Sequence, residues 1–340
     1  MRRRASLVLL ALAVFCTALS PLLRWYAFPR LAKVPAGHYQ AVVLEAKDAT
    51  LIDYATLEPR RVPKVTMVQT VKGNVEQARR VKAATGRDVV VWDTLTHAAG
   101  PDGAMVSRIP ERYVFDAHSQ QPVHAGGEHV DDTPVRRDGI EFKWPFLVEK
   151  RDYRYFGMMT RTSAPIHYKG TRTFRGLDVY YFEQTIPWTE VPLPRQLPLG
   201  ITPDTVRQLG LERWYTTRRM FWVDPVTGAP VNGEEIHREE MRWTGHPEKK
   251  PITAFAGHVK IRPDYVAHTV ATVKGQRQLV LLLTRHLPLG LLALGLALLA
   301  AALVLEARDR RAPATEVAHD GGKPERPTPG EGALSRGGSP

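Results

Sequence analysis

Between His118 and Asp132 the chain gathers His118, His124, Glu128, His129, Asp131 and Asp132. Imidazole nitrogens and carboxylate oxygens are the donors that zinc and copper take. The spacing H-x5-H-x4-H matches no common ligand pattern, and the intervening Gly and Gln describe an exposed polar loop. Two more acids, Asp116 and Asp224, close similar strand-like runs and could pair for general acid–base work. A carboxylate ahead of a short polar turn more simply caps that turn. Signatures of a nucleophile elbow, a zincin helix, a phosphate-binding loop and a dinucleotide fold are all missing. The sequence therefore assigns no catalytic residue, no metal ligand and no cofactor, and it predicts a protein that is not an enzyme.

Aromatic side chains are the stronger signal. Trp92, Phe115, Trp144, Phe146, Tyr180, Phe182, Phe221 and Trp222 fall on runs that read as strands. Core packing accounts for most such residues. If Trp92, Phe115, Tyr180, Phe182, Phe221 and Trp222 instead line a space between two halves of the domain, they would hold an apolar or amphipathic ligand. The Pro-rich stretch PWTEVPLPRQLPLGITPD would then act as a gate.

The elements that would position these residues are written twice. GRDVVVWDTLT from Gly86 matches GLDVYYFEQTI from Gly176, and RYVFDAHSQQPV from Arg112 matches RMFWVDPVTGAPV from Arg219, in the same order. In each second member an aromatic and β-branched run ends in an acid and restarts at Pro-Val, as a hairpin does. The expected fold is mainly β with minor α, with possible related halves over 40–135 and 136–275.

Two apolar runs frame this domain, Ala5–Leu23 and Leu287–Leu305. Each is long enough to cross a hydrocarbon core of roughly 30 Å as a helix. The first reads as an uncleaved signal anchor. Arg2, Arg3 and Arg4 precede it, and Arg308, Arg310 and Arg311 follow the second run. The positive-inside rule then puts residues 1–4 and the tail 306–340 in the cytoplasm, and residues 24–286 outside the cell membrane. Trp25 and Tyr26 suit an aromatic anchor at the outer interface, and the polar tail lacks the apolar content for a core.

The net charge of +12 comes from 47 basic and 35 acidic residues that are interspersed, and no nucleic-acid motif accompanies it. The bilayer, anionic lipid heads or an acidic wall polymer are the natural partners of such a tethered basic domain. Cys16 is the single cysteine and lies within the first apolar run, so the external domain must hold without disulfides.

The basic N-terminus and first span, VVVWDT, YVFD before Pro-Val, FKWPF, YKG to GLDVYYFE, WVDPVTGAPV and the closing span together resemble a family of actinobacterial membrane proteins. That family carries the label "porin PorA family" and is catalogued as a domain of unknown function; the resemblance runs from about Met1 to Leu305. A lipid-facing β-barrel needs one continuously apolar strand face. RDYRYF and TRTFRGLDVYYF carry charge on both faces, which argues against such a pore. The functional expectation is a non-enzymatic envelope protein that binds or passes a lipid, glycolipid or cell-wall polymer. The alternative is a scaffold for envelope proteins.

Overall fold

A computed structural model describes residues 2–125 and 127–311, so most of the expected cytoplasmic tail lies outside the described residues. The described residues divide into two compact units, one of residues 2–15 with 294–311 and one of residues within 16–293.

The larger unit contains twelve strands: β1 (Tyr39–Asp53), β2 (Glu58–Gly73), β3 (Val89–Ala99), β4 (Met105–Asp116), β5 (His129–Val130), β6 (Thr133–Pro134), β7 (Tyr153–Gly157), β8 (Thr162–Phe174), β9 (Leu177–Glu190), β10 (Leu211–Val223), β11 (Pro230–Trp243) and β12 (Ile252–Ile261). They form one antiparallel sheet in the order β6-β5-β4-β3-β2-β1-β12-β11-β10-β9-β8-β7. The mainly β expectation holds. Every neighbour is a sequence neighbour except at the β1–β12 contact, which joins the beginning of the meander to its end.

The sheet rolls up. Ile109 and Val130, near one end of the strand order, share a core cluster with Phe156 and Met159 at the other end. The connection after β6 closes the seam. The Ile140 amide donates to the Arg154 carbonyl, and the Phe156 amide donates back to Ile140. Gly139 makes this approach possible: its φ is +99°, and a Cβ there would sit 2.2 Å from the Arg154 carbonyl oxygen. The same connection then supplies Ile140, Trp144 and Val148 to one aromatic cluster and Phe142 to another, so FKWPF plugs the roll.

The doubled motifs become two hairpins of equal register. Val90 faces Phe115 and Trp92 faces Tyr113 in one; Tyr180 faces Val223 and Phe182 faces Phe221 in the other. Both leave through an Asp-capped turn and return at a proline, Pro122 opposite Phe115 and Pro230 opposite Val223. The likeness is one of two strand pairs within a single sheet.

α1 (Arg2–Pro21) runs through a π turn at Leu22–Ala27 into the short α2 (Phe28–Leu31). α3 (Val75–Thr85) starts where the Asn74 side chain accepts from the Gln77 amide, and Gly86 closes it in the left-handed region. α4 (Pro203–Gln208) has Thr202 as its cap. The Pro-rich stretch before it is pinned by Leu193, Leu197 and Ile201, which pack with Ile52, Leu211 and Met241. α5 (Pro263–Leu281) follows β12 directly and continues through a π turn at Leu282–His286 into α6 (Leu287–Arg311). Its Val266, Val270 and Val273 recur at helical spacing and pack on Leu177, Val179 and Val231 of the sheet. The second long helix thus begins at Pro263, well ahead of the apolar run that announces it in the sequence.

Candidate functional site

The sequence-selected aromatics pack in separate clusters. Trp92 and Phe115 pack with Tyr113 and Phe142 in one cluster. Tyr180, Phe182 and Phe221 pack around Trp144 in a second. Trp222 faces the other way, beside Phe174 and Tyr181, toward α5. A polar cleft of about 450 Å³ is lined by Gln121, Pro122, His124, Arg136, Arg137, Asp138 and Gly139.

The acids and histidines disperse in the same way. Asp116 accepts from the His118 and Ser119 amides, and Asp224 from the Thr227 amide and hydroxyl, so each caps its turn. Asp224 also accepts from Arg277 of α5 at 3.0 Å, which ties the helix to the sheet. His118 bonds the Ala32 carbonyl, and His124 bonds Glu128.

The sequence reading missed a charged interior. Along β10, alternate residues Arg213, Tyr215, Thr217 and Arg219 turn inward, and along β11 Glu235, His237 and Glu239 do the same. The period of two in R-x-Y-x-T-x-R and E-x-H-x-E was the available signal. Arg213 donates to Glu239 at 2.7 Å, and Arg219 donates to Glu235 at 3.1 Å and to the Tyr215 hydroxyl at 2.8 Å. His237 lies between Glu235 and Glu239, at 2.9 and 2.5 Å. Burial alone would discharge the imidazole, but the two carboxylates prevail and raise His237 to about 9. Burial likewise opposes ionisation of Glu239, yet Arg213 and His237 hold it down to about 2.

A second cluster anchors the plug. Arg137 is fully buried, donates to Glu141 at 2.7 Å and Glu111 at 3.0 Å, and lies over the rings of Tyr113 and Phe156. One guanidinium serves two buried carboxylates, with Glu128 3.8 Å away. Burial, and repulsion from Glu111, raise Glu141 well above the ordinary carboxyl range. These groups fill the roll and brace it.

The outer face is charged as well. Arg218 pairs with Glu183 and Arg242 with Glu240, while Arg60, Arg61 and Lys64 of β2 are exposed. Those strands present no apolar band to lipid.

The helices do. Arg4–Leu31 and Pro263–Arg308 are long and apolar enough to cross a membrane. In the smaller unit the Ser6 hydroxyl donates to the Ala302 carbonyl; in the larger, the Ser20 hydroxyl donates to the Pro288 carbonyl at 2.8 Å. Polar links of this kind hold apolar helices together in lipid. Each of the two long helices carries a π turn, and the two π turns touch. At the ends of these turns the Phe28 amide bonds Leu23 and the Leu287 amide bonds Leu282, five residues back. Pro29 and Pro288 follow at once; a proline ring cannot accept the ordinary turn, and the widened turn absorbs it. Trp25 and Tyr26 ride on the first π turn, 74% and 54% exposed.

The profile of the family described as Porin PorA matches residues 5–304. A protein named Porin PorA from Corynebacterium amycolatum is 22% identical over 306 residues, covering 69% of this chain and 77% of its own. A second Porin PorA, from Corynebacterium resistens, is 28% identical over 191 residues, covering 38% of this chain and 46% of its own. These findings overturn the expectation of a lipid- or polymer-binding protein or a scaffold, along with the label of unknown function. Charge on both strand faces bears on a pore made by strands, and not on one made by helices. Matched from the first span to the last, the chain belongs to the Porin PorA family.

Proposed function

We propose that this protein is a pore-forming subunit of a cell membrane, with no enzymatic role. Its membership of the Porin PorA family over residues 5–304 carries this reading. The outer strand faces are charged, so the conduit belongs to the apolar helices rather than to the sheet. Two helices packed against each other enclose no lumen, so several copies assemble around it. Arginines flank the far ends of both spans, which supports cytoplasmic termini and a rolled sheet outside. The partners are then the bilayer and further copies of the chain.

Purified full-length protein added to a planar lipid bilayer is expected to produce discrete conductance steps. A bilayer that stays silent, while protease protection of proteoliposomes proves that both spans have inserted, overturns the reading.

A further inference from the structure

We infer that Arg24 and Arg285, at the paired π turns, make the mouth of this pore selective for anions; the inference rests on the pore reading above. Arg24 lies within the first π turn and Arg285 within the second, and the two turns are in contact. Arg24 is half-buried and Arg285 exposed, and His286 adds a third basic group beside them.

What distinguishes these arginines is the lack of any carboxylate to oppose them. The sequence has no Asp or Glu before Glu45, and none between Asp264 and Glu306. Several other basic groups near the two helices are engaged: Arg277 with Asp224, Arg262 with Asp264, Lys33 with Asp88 at 3.8 Å, and Arg30 with the Tyr26 ring and carbonyl. Among the described residues, neither Arg24 nor Arg285 has a hydrogen-bond or ion-pair partner. Guanidinium groups carried on touching turns add their positive potentials, and water-poor surroundings strengthen the attraction of an anion to them.

Charged side chains at the ends of membrane helices turn toward water or a lumen rather than toward acyl chains. In a ring of copies, each contributes two such arginines at the level where the spans leave the apolar layer. Rings of Arg or Lys are how anion pores repel cations and concentrate anions. A lipid phosphate and a permeating chloride or phosphate offer the same negative partner, so the test must separate them.

Full-length protein is reconstituted in bilayers of zwitterionic phosphatidylcholine under a tenfold KCl gradient, and the reversal potential is read. The expected sign is that of chloride permeating several-fold better than potassium. Arg24→Gln with Arg285→Gln should reduce that preference at least threefold, whereas Arg24→Lys with Arg285→Lys should retain it. Arg262→Gln, which removes a paired arginine, should leave it unchanged. A conducting wild type that is unselective or prefers potassium overturns this inference and leaves the pore reading intact. So does a glutamine variant with wild-type selectivity, and if its binding to vesicles containing phosphatidylglycerol has fallen, the arginines serve lipid headgroups instead. A silent wild type with inserted spans overturns both.

Discussion

The rolled sheet and the helix pair treat charge in opposite ways. Inside the sheet each buried arginine meets carboxylates: Arg137 meets Glu111 and Glu141, Arg213 meets Glu239, and Arg219 meets Glu235. At the π turns Arg24 and Arg285 meet none. A charge removed from water must be compensated within the fold, and buried ion pairs do this at a desolvation cost that makes them braces rather than sources of stability. A charge left beside water without a partner costs the fold little and remains available to a mobile ion. On the pore reading, the difference separates the part of the molecule that holds shape from the part that acts on solutes.

The largest expected effect of breaking this contrast comes from Arg137→Met. It leaves Glu111 and Glu141 buried without a cation and should cost about 3–5 kcal/mol of stability. Denaturant unfolding of the detergent-solubilised protein, followed through its tryptophan fluorescence, measures it. Adding Glu111→Gln and Glu141→Gln should restore part of the loss. Arg285→Met should cost less than about 0.5 kcal/mol, as an exposed, unpaired group would. Equal losses at the two arginines would erase the distinction.

Gly139→Ala is next. It tests whether the seam between β6 and β7 depends on backbone approach, and it should cost about 3 kcal/mol, because the new methyl meets the Arg154 carbonyl at a φ that alanine avoids. Gly275→Ala in α5, where nothing lies within 4 Å, should be neutral or slightly stabilising.

How much of this was legible in the sequence follows from what each feature depends on. The spans were readable because length and hydropathy alone decide them, and the paired hairpins because Asp-Pro-Val-Thr-Gly228 encodes its own turn. The helix from Pro263 was obscured because Tyr265, Val266, Thr269, Val270, Thr272 and Val273 are β-formers by propensity, and only packing on Val179 and Val231 makes them helical. The aromatics could be placed on strands, but which face fills the core depends on the roll of the sheet. The charged interior was hidden for the same reason, since an inward Arg-Tyr-Thr-Arg stripe resembles a solvated face until the opposite strand supplies Glu235 and Glu239. The unopposed arginines were visible, yet their meaning depended on the contact between two π turns far apart in sequence.

His237 permits a finer test by pH. Its ionisation equilibrium is raised in the folded protein, so its stabilising contribution is complete below about 6.5, the value for an unfolded histidine. It is lost as pH rises through about 9. The difference in unfolding free energy between wild type and His237→Gln should therefore be greatest near pH 6, at roughly 1–3 kcal/mol, and fade above pH 9. A difference that is flat from pH 6 to 10 would mean that the ring acts through packing against Tyr215 and Phe255 and not as the cation between two carboxylates.

A smaller effect than that of His237 belongs to the helix pair itself. Ser20→Ala removes one hydroxyl bond, to Pro288, and Ser6→Ala another, to Ala302. Interhelical hydrogen bonds in lipid average about 0.6 kcal/mol, because a freed serine finds a carbonyl on its own helix. Each substitution should cost about that much, and the two should add, since the serines lie fourteen residues apart on one helix (Ser6 to Ser20) and their acceptors equally far apart on the other (Pro288 to Ala302). Thermal unfolding of the single and double variants in detergent reads this out. A loss of several kcal/mol from Ser20→Ala alone would show that the π turns depend on this bond, making the hairpin as tightly braced as the sheet. The expected small, additive losses would instead leave the spans free to repack against further copies, which a conduit built from helices requires.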